Sequence, residues 1–263
     1  MTPAALSVAL TIAGSDSGGG AGIQADLLTF AANGVFGTTA LTCLTAQNPG
    51  GVTAIEALSA AFVQEQIQQV HRYFRVAALK TGMLYSTGII AAVADFLRDQ
   101  RKIPAVVDPV MVATSGAGLL DPDTLAAMRE RLLPLALLVT PNLDEVAVLL
   151  GEKPTTADDS VAAGRQLAGT YGVAFLVKGG HLPGDELTDV LVKPDGSLKT
   201  YTSPRVAGVD THGSGCTLSA AIAANLAKGM ALDDAVGAAR VYLLRGLEHS
   251  VKVGDRRFIN HLP

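Results

Sequence analysis

The sequence predicts an α/β fold, a three-layer α/β/α sandwich around a mostly parallel sheet. Short β-type apolar runs alternate with stretches of helical periodicity along most of the chain, which is typical of repeated β-α-β units. The runs are apolar throughout, as expected for parallel strands covered by helices on both faces. The chain has 263 residues, of which 49% are hydrophobic and 17% charged. We therefore predict one domain with a large core over residues 1–263.

The predicted strands and helices follow one another in the order that such a sheet requires. Apolar residues recur at helical spacing over residues 62–74 and 89–97, and Ser86 and Thr87 provide a cap before the second of these helices. The clearest strands cover residues 7–13, 38–45, 76–80, 105–108, 137–140 and 173–178.

The last third of the chain has a different pattern. Pro194, Asp195 and Gly196 form a turn signal between β-type runs at residues 189–192 and 199–202. This pattern predicts an antiparallel hairpin at the edge of the sheet. Two final helices are expected at about residues 213–227 and 232–248, separated by a glycine of the kind that ends helices.

Composition excludes several classes of function. The formal net charge is -4 and no run of basic residues occurs, so we expect neither nucleic acid nor an anionic membrane surface as a partner. Polar residues interrupt every apolar stretch before the roughly 20 residues of a spanning helix. The N-terminus lacks the basic start of a signal peptide, so a cytoplasmic location is expected. Cys43 and Cys216 are too few for a disulfide framework or a Cys-rich metal site.

A dense run of glycines follows the first predicted strand. Ligands of open parallel sheets bind beyond the carboxyl ends of the strands, and residues 14–22 read Gly-Ser-Asp-Ser-Gly-Gly-Gly-Ala-Gly at such an end. Backbone amides in this run are expected to approach a ligand closely. A mobile turn is the alternative.

Two familiar nucleotide motifs are disfavoured. Gly20, Gly22 and Ala25 fit the dinucleotide pattern G-x-G-x-x-A, but the second strand ends in Thr-Ala-Gln-Asn at residues 45–48, without the acidic residue that would hold a ribose hydroxyl. An NAD-dependent or flavin-dependent oxidoreductase is therefore a weak alternative. A Walker A loop is excluded, because the chain has no Gly-Lys-Ser or Gly-Lys-Thr sequence.

A second glycine motif, at residues 210–216, opens one of the final helices. Its glycines leave successive backbone amides bare at a helix start, which predicts a nest for an anion such as a transferring phosphoryl group. Cys216 ends the motif in the first helical turn, where a lowered thiol pKa is expected and the thiolate would serve as a base or nucleophile. A small buried hydrophobe is the alternative for this residue.

Polar residues end three further strands. They are a carboxylate, Asp108; an asparagine, Asn142, with Glu145 three residues later; and a lysine, Lys178. Oxygen ligands and a positive charge are what Mg²⁺ and a polyphosphate require. Ordinary alternatives are a turn or cap role for Asp108, a capping box for the second pair and a solvated lysine.

Six motifs in this order resemble the hydroxymethylpyrimidine/phosphomethylpyrimidine kinases of thiamine biosynthesis, which belong to the ribokinase-like superfamily. The resemblance spans about residues 8–248. The motifs are GSDSGGGAGIQAD at residues 14–26, TAQN at 45–48, KTGML at 80–84, DPVM at 108–111, TPN at 140–142 and THGSGC at 211–216.

The resemblance implies a kinase that uses ATP and Mg²⁺ to phosphorylate 4-amino-5-hydroxymethyl-2-methylpyrimidine and then its monophosphate. It also implies a homodimer. Gln47 is expected to bind the pyrimidine, and the residues implied to line its pocket are Gly14, Asp26, Met83 and Val110.

The resemblance also assigns the phosphate side of the site. Asp108 and Glu145 are expected to organise Mg²⁺, with help from Asn142. The residues implied to bind ATP are Lys178, Asn142, Thr211 and His212, the last as a contact of a phosphate group or as a helix cap. Charge on the transferring phosphoryl group is expected to meet the amides of Gly213, Ser214, Gly215 and Cys216.

One residue departs from the wider superfamily. Sugar kinases of that superfamily carry Asp as the base where this chain has Cys216, which argues against a sugar substrate. Pyridoxal kinase is the nearest alternative, and a non-catalytic regulator is a further one. Residues 115–118, Ser-Gly-Ala-Gly, are a candidate lid over the site.

Overall fold

The fold is known from a computed structural model that describes residues 5–111, 120–180 and 182–262. The candidate lid at residues 115–118 lies outside this part. The strands are β1 (Val8–Asp16), β2 (Phe36–Asn48), β3 (Gly51–Ala57), β4 (Val76–Thr81), β5 (Ala105–Val107), β6 (Leu138–Val139), β7 (Ala174–Val177), β8 (Glu186–Val192), β9 (Leu198–Pro204), β10 (Val251–Val253) and β11 (Arg256–Phe258). The helices are α1 (Gly22–Ala32), α2 (Ala60–Tyr73), α3 (Thr87–Asp99), α4 (Pro122–Ala127), α5 (Leu143–Leu150), α6 (Ala157–Tyr171), α7 (Ser214–Ala227) and α8 (Leu232–Glu248).

Nine of these strands form one sheet in the order β3-β2-β1-β4-β5-β6-β7-β8-β9. The six central strands of this order, β2, β1, β4, β5, β6 and β7, are mutually parallel. At the two edges, β3, β8 and β9 pair antiparallel. The predicted α/β fold and the edge hairpin of β8 and β9 are thus confirmed. The one-domain assignment stays a prediction.

Two hydrophobic cores cover the two faces of the sheet. Strand side chains alternate between them: Leu10 and Ile12 lie in the core under α2, α3, α5 and α6, whereas Ala9 lies in the core under α1, α7 and α8. Every residue of α7 from Thr217 to Ala227 is buried. Small alanines let this helix lie close to the sheet, so its first turn reaches the ends of the central strands.

Sequence patterns missed two short pairings. β3 is mostly exposed and pairs only with β2, so it lacks the continuous apolar run of a central strand. β10 and β11 form a separate exposed hairpin. Among the described helices, none has the length and apolar content to cross a membrane.

Local caps behave as their sequences predict. The Ser86 side chain accepts a hydrogen bond from the Ile89 amide at the start of α3. α7 begins differently: its N-cap, Gly213, has a left-handed φ of 82° and no side-chain cap. A side chain at this position would collide with the carbonyl oxygen of Gly20. The start of α7 therefore touches the first glycine loop, and only glycine permits the contact.

We expect Gly213→Ala to destabilise the protein by more than the roughly 1–2 kcal/mol that a left-handed alanine costs. Gly229→Ala is the matched control, since Gly229 has a φ of 85° with no atom within 4 Å of an added Cβ. Urea unfolding of both variants measures the difference. Equal losses would show that the contact with Gly20 contributes nothing to stability.

Candidate active site

A buried ion pair lies beneath the glycine loop. Lys80 on β4 places its Nζ 2.9 and 3.0 Å from the two carboxylate oxygens of Asp26 on α1, and the Thr11 hydroxyl donates to the same carboxylate at 2.6 Å. All three residues are fully buried. Burial by itself would lower the pKa of Lys80, but the Asp26 carboxylate reverses the effect and raises that pKa, so the lysine is charged.

This pair gives an internal partner to Asp26, whose place in the pyrimidine pocket stays a prediction. The side chain is enclosed and its oxygens are occupied, because a charged lysine inside a sheet needs a carboxylate beside it. Sequence reasoning gave Lys80 no role of its own. A lysine within the otherwise apolar strand β4 was the signal that a buried partner exists.

A second pair joins two predicted residues at the carboxyl ends of β5 and β7. Lys178 Nζ donates to Asp108 Oδ1 at 3.0 Å, and the same carboxylate receives longer hydrogen bonds from the hydroxyls of Thr140 and Ser219, at 3.3 and 3.4 Å. Gly215 lies against both members, since an added Cβ would be 3.2 Å from Lys178 Nζ and 3.5 Å from Asp108 Oδ2. The first turn of α7 therefore faces this ion pair.

Glu145 lies beside these charges, but both of its carboxylate oxygens accept hydrogen bonds from backbone amides. With Asn142 it forms a capping box at the start of α5, as the alternative interpretation expected, and its other oxygen accepts from the Met111 amide at 3.2 Å. Burial raises the pKa of Glu145 to about 7; Lys178 opposes this and Asp108 adds to it. Glu145 thus fixes the segment after β5 onto α5.

No protein cage for a metal exists in the part of the chain that the structure covers, because no three His, Cys, Asp or Glu side chains converge there. Asp108 offers carboxylate oxygens at the strand end, next to the ammonium of Lys178. Mg²⁺ prefers oxygen ligands, keeps several waters and is commonly held by one or two carboxylates and by substrate phosphates. The donor set therefore fits this ion.

Cys216 lies next to both ion pairs, and the expected lowering of its thiol pKa is wrong for the ligand-free protein. Burial raises this pKa to about 11, and Asp26 and Asp108 add to the increase, whereas Lys80 and the Gly22 amide oppose it. The favourable helix N-terminus is outweighed because the thiol is removed from water near two carboxylates.

The first glycine loop also differs from its prediction. Its backbone amides point at the side chain of Asp16, whose carboxylate accepts from Gly18, Gly20 and Ala21 at 2.8, 3.1 and 2.9 Å. An internal carboxylate therefore occupies the nest that was expected to approach a ligand. Asp16 belongs to the motif at residues 14–26, but the sequence predicted no role for it.

Three further predicted pocket residues are Gly14, Met83 and Val110. An added Cβ on Gly14 would be 3.4 Å from Met83 Cε, so these two are neighbours. Val110, directly after the Asp108 strand end, has a left-handed φ of 44°. For a β-branched residue this is strained backbone, of the kind that clusters at functional sites.

Gln47 and His212 are also in contact, with 3.1 Å between Gln47 Nε2 and His212 Nε2. His212, expected among the ATP ligands, thus lies on the side of the predicted pyrimidine pocket. Thr211 is exposed, and its carbonyl accepts from the Ser214 amide at 3.0 Å.

We predict that Cys216 alkylation by iodoacetamide accelerates with pH through pH 9 without a plateau, because the reactive thiolate forms only near pH 11. Peptide mass spectrometry reports the rate, with the fully buried Cys43 as internal reference for the folded state. A plateau below pH 8 would contradict the raised pKa.

Glu145 is expected to link stability to pH. Its folded pKa of about 7 exceeds the ordinary 4.5, so the folded protein holds a proton that the unfolded chain has lost between these values, and stability falls as pH rises from 4.5 to 7. Glu145→Gln removes this proton linkage. Urea unfolding should show the free-energy difference between wild type and variant changing by on the order of 1–3 kcal/mol over this range. A constant difference would contradict the buried, protonated carboxyl.

Comparison with known proteins agrees with this geometry. The sequence matches the phosphomethylpyrimidine kinase family over residues 16–261. A hydroxymethylpyrimidine/phosphomethylpyrimidine kinase from Rhizobium meliloti is 54% identical over 239 residues, which cover 90% of this chain and 88% of the relative.

Solved structures give the same result. A phosphomethylpyrimidine kinase from Clostridium difficile is similar with a TM-score of 0.80 at 39% identity, covering 90% of this chain and 98% of its own. Pyridoxal kinase from Bacillus subtilis, in a complex with ADP, has a TM-score of 0.90 at 35% identity and covers 98% of both chains. The family match spans nearly the whole sequence, including the second glycine motif and all but two residues of the first, and the chain accordingly belongs to the phosphomethylpyrimidine kinase family.

Proposed function

We propose that the protein transfers a phosphoryl group from ATP to 4-amino-5-hydroxymethyl-2-methylpyrimidine and then to the resulting monophosphate, in thiamine biosynthesis. The observation that carries this proposal is the contact of Gly215, in the first turn of α7, with the ion pair of Asp108 and Lys178. This arrangement combines bare helix-start amides with a lysine ammonium at the carboxyl edge of a parallel sheet, where phosphates bind.

Phosphoryl transfer requires mainly positioning and charge stabilisation. Lys178 is 14% exposed and held by Asp108, so its ammonium is preorganised toward the nucleotide phosphates. The amide of Ser214 donates to the Thr211 carbonyl, so the amides of Gly213, Gly215 and Cys216 are the proposed donors to charge on the transferring group. Asn142 lies beside Lys178, since the two backbones form a β-bridge. Thr211 remains a proposed ATP ligand at the same edge.

Asp108 would hold Mg²⁺, and Glu145 would act indirectly. When bound, the ion would neutralise phosphate charge and orient the phosphates. Glu145 accepts two backbone amides, so we assign it the role of fixing the segment that carries Asp108 rather than that of a direct ligand.

Cys216 is the proposed acceptor of the hydroxymethyl proton, on a condition set by its surroundings. A protonated thiol accepts no proton, and the raised pKa keeps Cys216 protonated in the free protein. Lys80 and the Gly22 amide favour the thiolate. Cys216 would therefore serve as the base only if binding of the substrates lowers the pKa of its thiol.

On the substrate side, Gln47 offers an amide donor and acceptor to the aminopyrimidine edge. Gly14 lies between Met83 and the Cys43 sulfur, which an added Cβ would approach to 3.4 and 2.8 Å. The Met83 thioether and Val110 supply apolar contacts to the ring faces. A homodimer in the cytoplasm is the proposed setting, and neither nucleic acid nor a membrane is expected as a partner.

Pyridoxal phosphorylation is a second candidate activity, favoured by the likeness to Bacillus subtilis pyridoxal kinase over 98% of both chains. Its substrate also carries a hydroxymethyl group on a six-membered aromatic ring, so the same phosphate side would serve both reactions.

Mass spectrometry of products tests the proposal. Purified protein is incubated with Mg-ATP and, separately, the hydroxymethylpyrimidine, its monophosphate and pyridoxal. We expect the monophosphate and the diphosphate of the pyrimidine, and chelation of Mg²⁺ should abolish both. Pyridoxal phosphate alone would instead assign the chain to pyridoxal phosphorylation, and no phosphorylated product would contradict both candidates.

Two lysine variants show whether turnover belongs to the described site. Lys178→Ala should lower kcat by about 100-fold or more, since it removes charge stabilisation from the transferring group. Lys102→Ala, at an exposed position before β5, should leave turnover unchanged. Equal activity of the two variants would contradict the role of Lys178.

A further inference from the structure

Two hydrogen-bond contacts around Gln47 are incompatible as they stand. His212 Nε2 lies 3.0 Å from Asp16 Oδ2 and 3.1 Å from Gln47 Nε2. A ring nitrogen carries either one hydrogen or one lone pair. It therefore cannot both donate to the carboxylate and accept from an amide nitrogen.

The carboxylate decides which state the ring nitrogen adopts. The side chain of Asp16 is 5% exposed and accepts only, so a lone pair facing it would be repelled. A hydrogen on His212 Nε2 forms a charge-assisted hydrogen bond instead. Gln47 must then turn its amide oxygen, not its nitrogen, toward the imidazole.

An independent contact on the other side of the amide gives the same answer. The Thr45 hydroxyl donates its single hydrogen to the Ser15 carbonyl at 2.8 Å, so it has none left for Gln47 Oε1 at 3.2 Å. Exchanging oxygen and nitrogen of the Gln47 amide lets the amide nitrogen donate to Thr45. The amide oxygen then faces the N–H of His212 Nε2, whose single hydrogen is shared with Asp16 in a three-centre contact, whereas an amide nitrogen there would set two N–H groups against each other. The hydrogen-bond network therefore assigns the two amide atoms.

The loop of Asp16 also holds the backbone of Gln47. The Ser17 hydroxyl accepts from the Gln47 amide and donates to the Gln47 carbonyl, both at 2.7 Å. Backbone and side chain of Gln47 are thus fixed by one loop, and His212, from the second glycine motif, completes the arrangement.

We propose that Asp16 and His212 set the polarity of the Gln47 carboxamide and thereby the hydrogen-bonding pattern of the substrate. The inference rests on the proposed function. The amide nitrogen of Gln47, on the Thr45 side, keeps one free N–H, and the amide oxygen, on the His212 side, keeps one free lone pair. These match a ring nitrogen next to an exocyclic amine, which is the edge of a 4-aminopyrimidine. His212 is a positioning residue here and has no contact with the reacting atoms.

A double-mutant cycle tests whether His212 acts through Gln47. Calorimetry gives the Kd of the hydroxymethylpyrimidine and of ATP for wild type, His212→Ala, Gln47→Ala and the double variant. We expect His212→Ala to weaken pyrimidine binding by about 5-fold and ATP binding by less than 2-fold, since one net hydrogen bond contributes roughly 1 kcal/mol. The double variant should bind the pyrimidine no more weakly than Gln47→Ala alone.

The control is His249→Ala. His249 is exposed at the end of α8, and both Kd values should stay unchanged. Additive losses in the double variant, or a loss confined to ATP, would overturn the proposal. A wild-type protein that binds no pyrimidine contradicts the proposed function itself, and this outcome is distinct from additivity.

A substrate analogue gives a second measurement that does not depend on the alanine variant. Wild type should bind the analogue that lacks the 4-amino group about 10-fold more weakly than the parent pyrimidine. His212→Gln keeps an N–H donor, and it should retain more of this discrimination than His212→Ala. Equal binding of the analogue and the parent by wild type would show that the free lone pair of Gln47 does not receive the amine.

Discussion

Buried charge neutralisation is the constraint on which the site depends. Below the second glycine motif, carboxylates and ammonium groups succeed one another through the interior: Asp26, Lys80, Asp108, Lys178 and Glu145. Each lysine is held by one carboxylate at about hydrogen-bond distance. Loss of one partner leaves an uncompensated charge inside the protein, which typically costs about 3–5 kcal/mol. One ion pair thus joins β4 to α1, and the other joins the ends of β5 and β7.

Burial raises two pKa values in this cluster. It raises the pKa of Glu145 to about 7 and that of Cys216 to about 11, and the Asp108 carboxylate adds to both increases. The Cys216 thiol is therefore protonated at neutral pH. Perturbed pKa values of this kind are typical of functional sites.

Close backbone approach is the second element of the design. Gly213 lies against the Gly20 carbonyl and Gly215 against Lys178, so the start of α7 joins the substrate-side loop to the phosphate-side ion pair. A Cβ on Gly213 would collide with the Gly20 backbone, whereas one on Gly215 would only press on the end of the Lys178 side chain. His212 directly precedes Gly213, and its side chain contacts Asp16 and Gln47.

The sequence by itself determined the layer architecture, the central strands, the capping box of Asn142 and Glu145 and the strand ends at which polar residues meet. These are properties of local periodicity and of neighbouring residues. Only the tertiary structure decided the partner of each charge, because the paired residues are distant in the chain: 54 positions separate Asp26 from Lys80 and 196 separate Asp16 from His212. The burial of Asp26 and the raised pKa of Cys216 follow from those partners and from exclusion of water, neither of which is written in a local pattern.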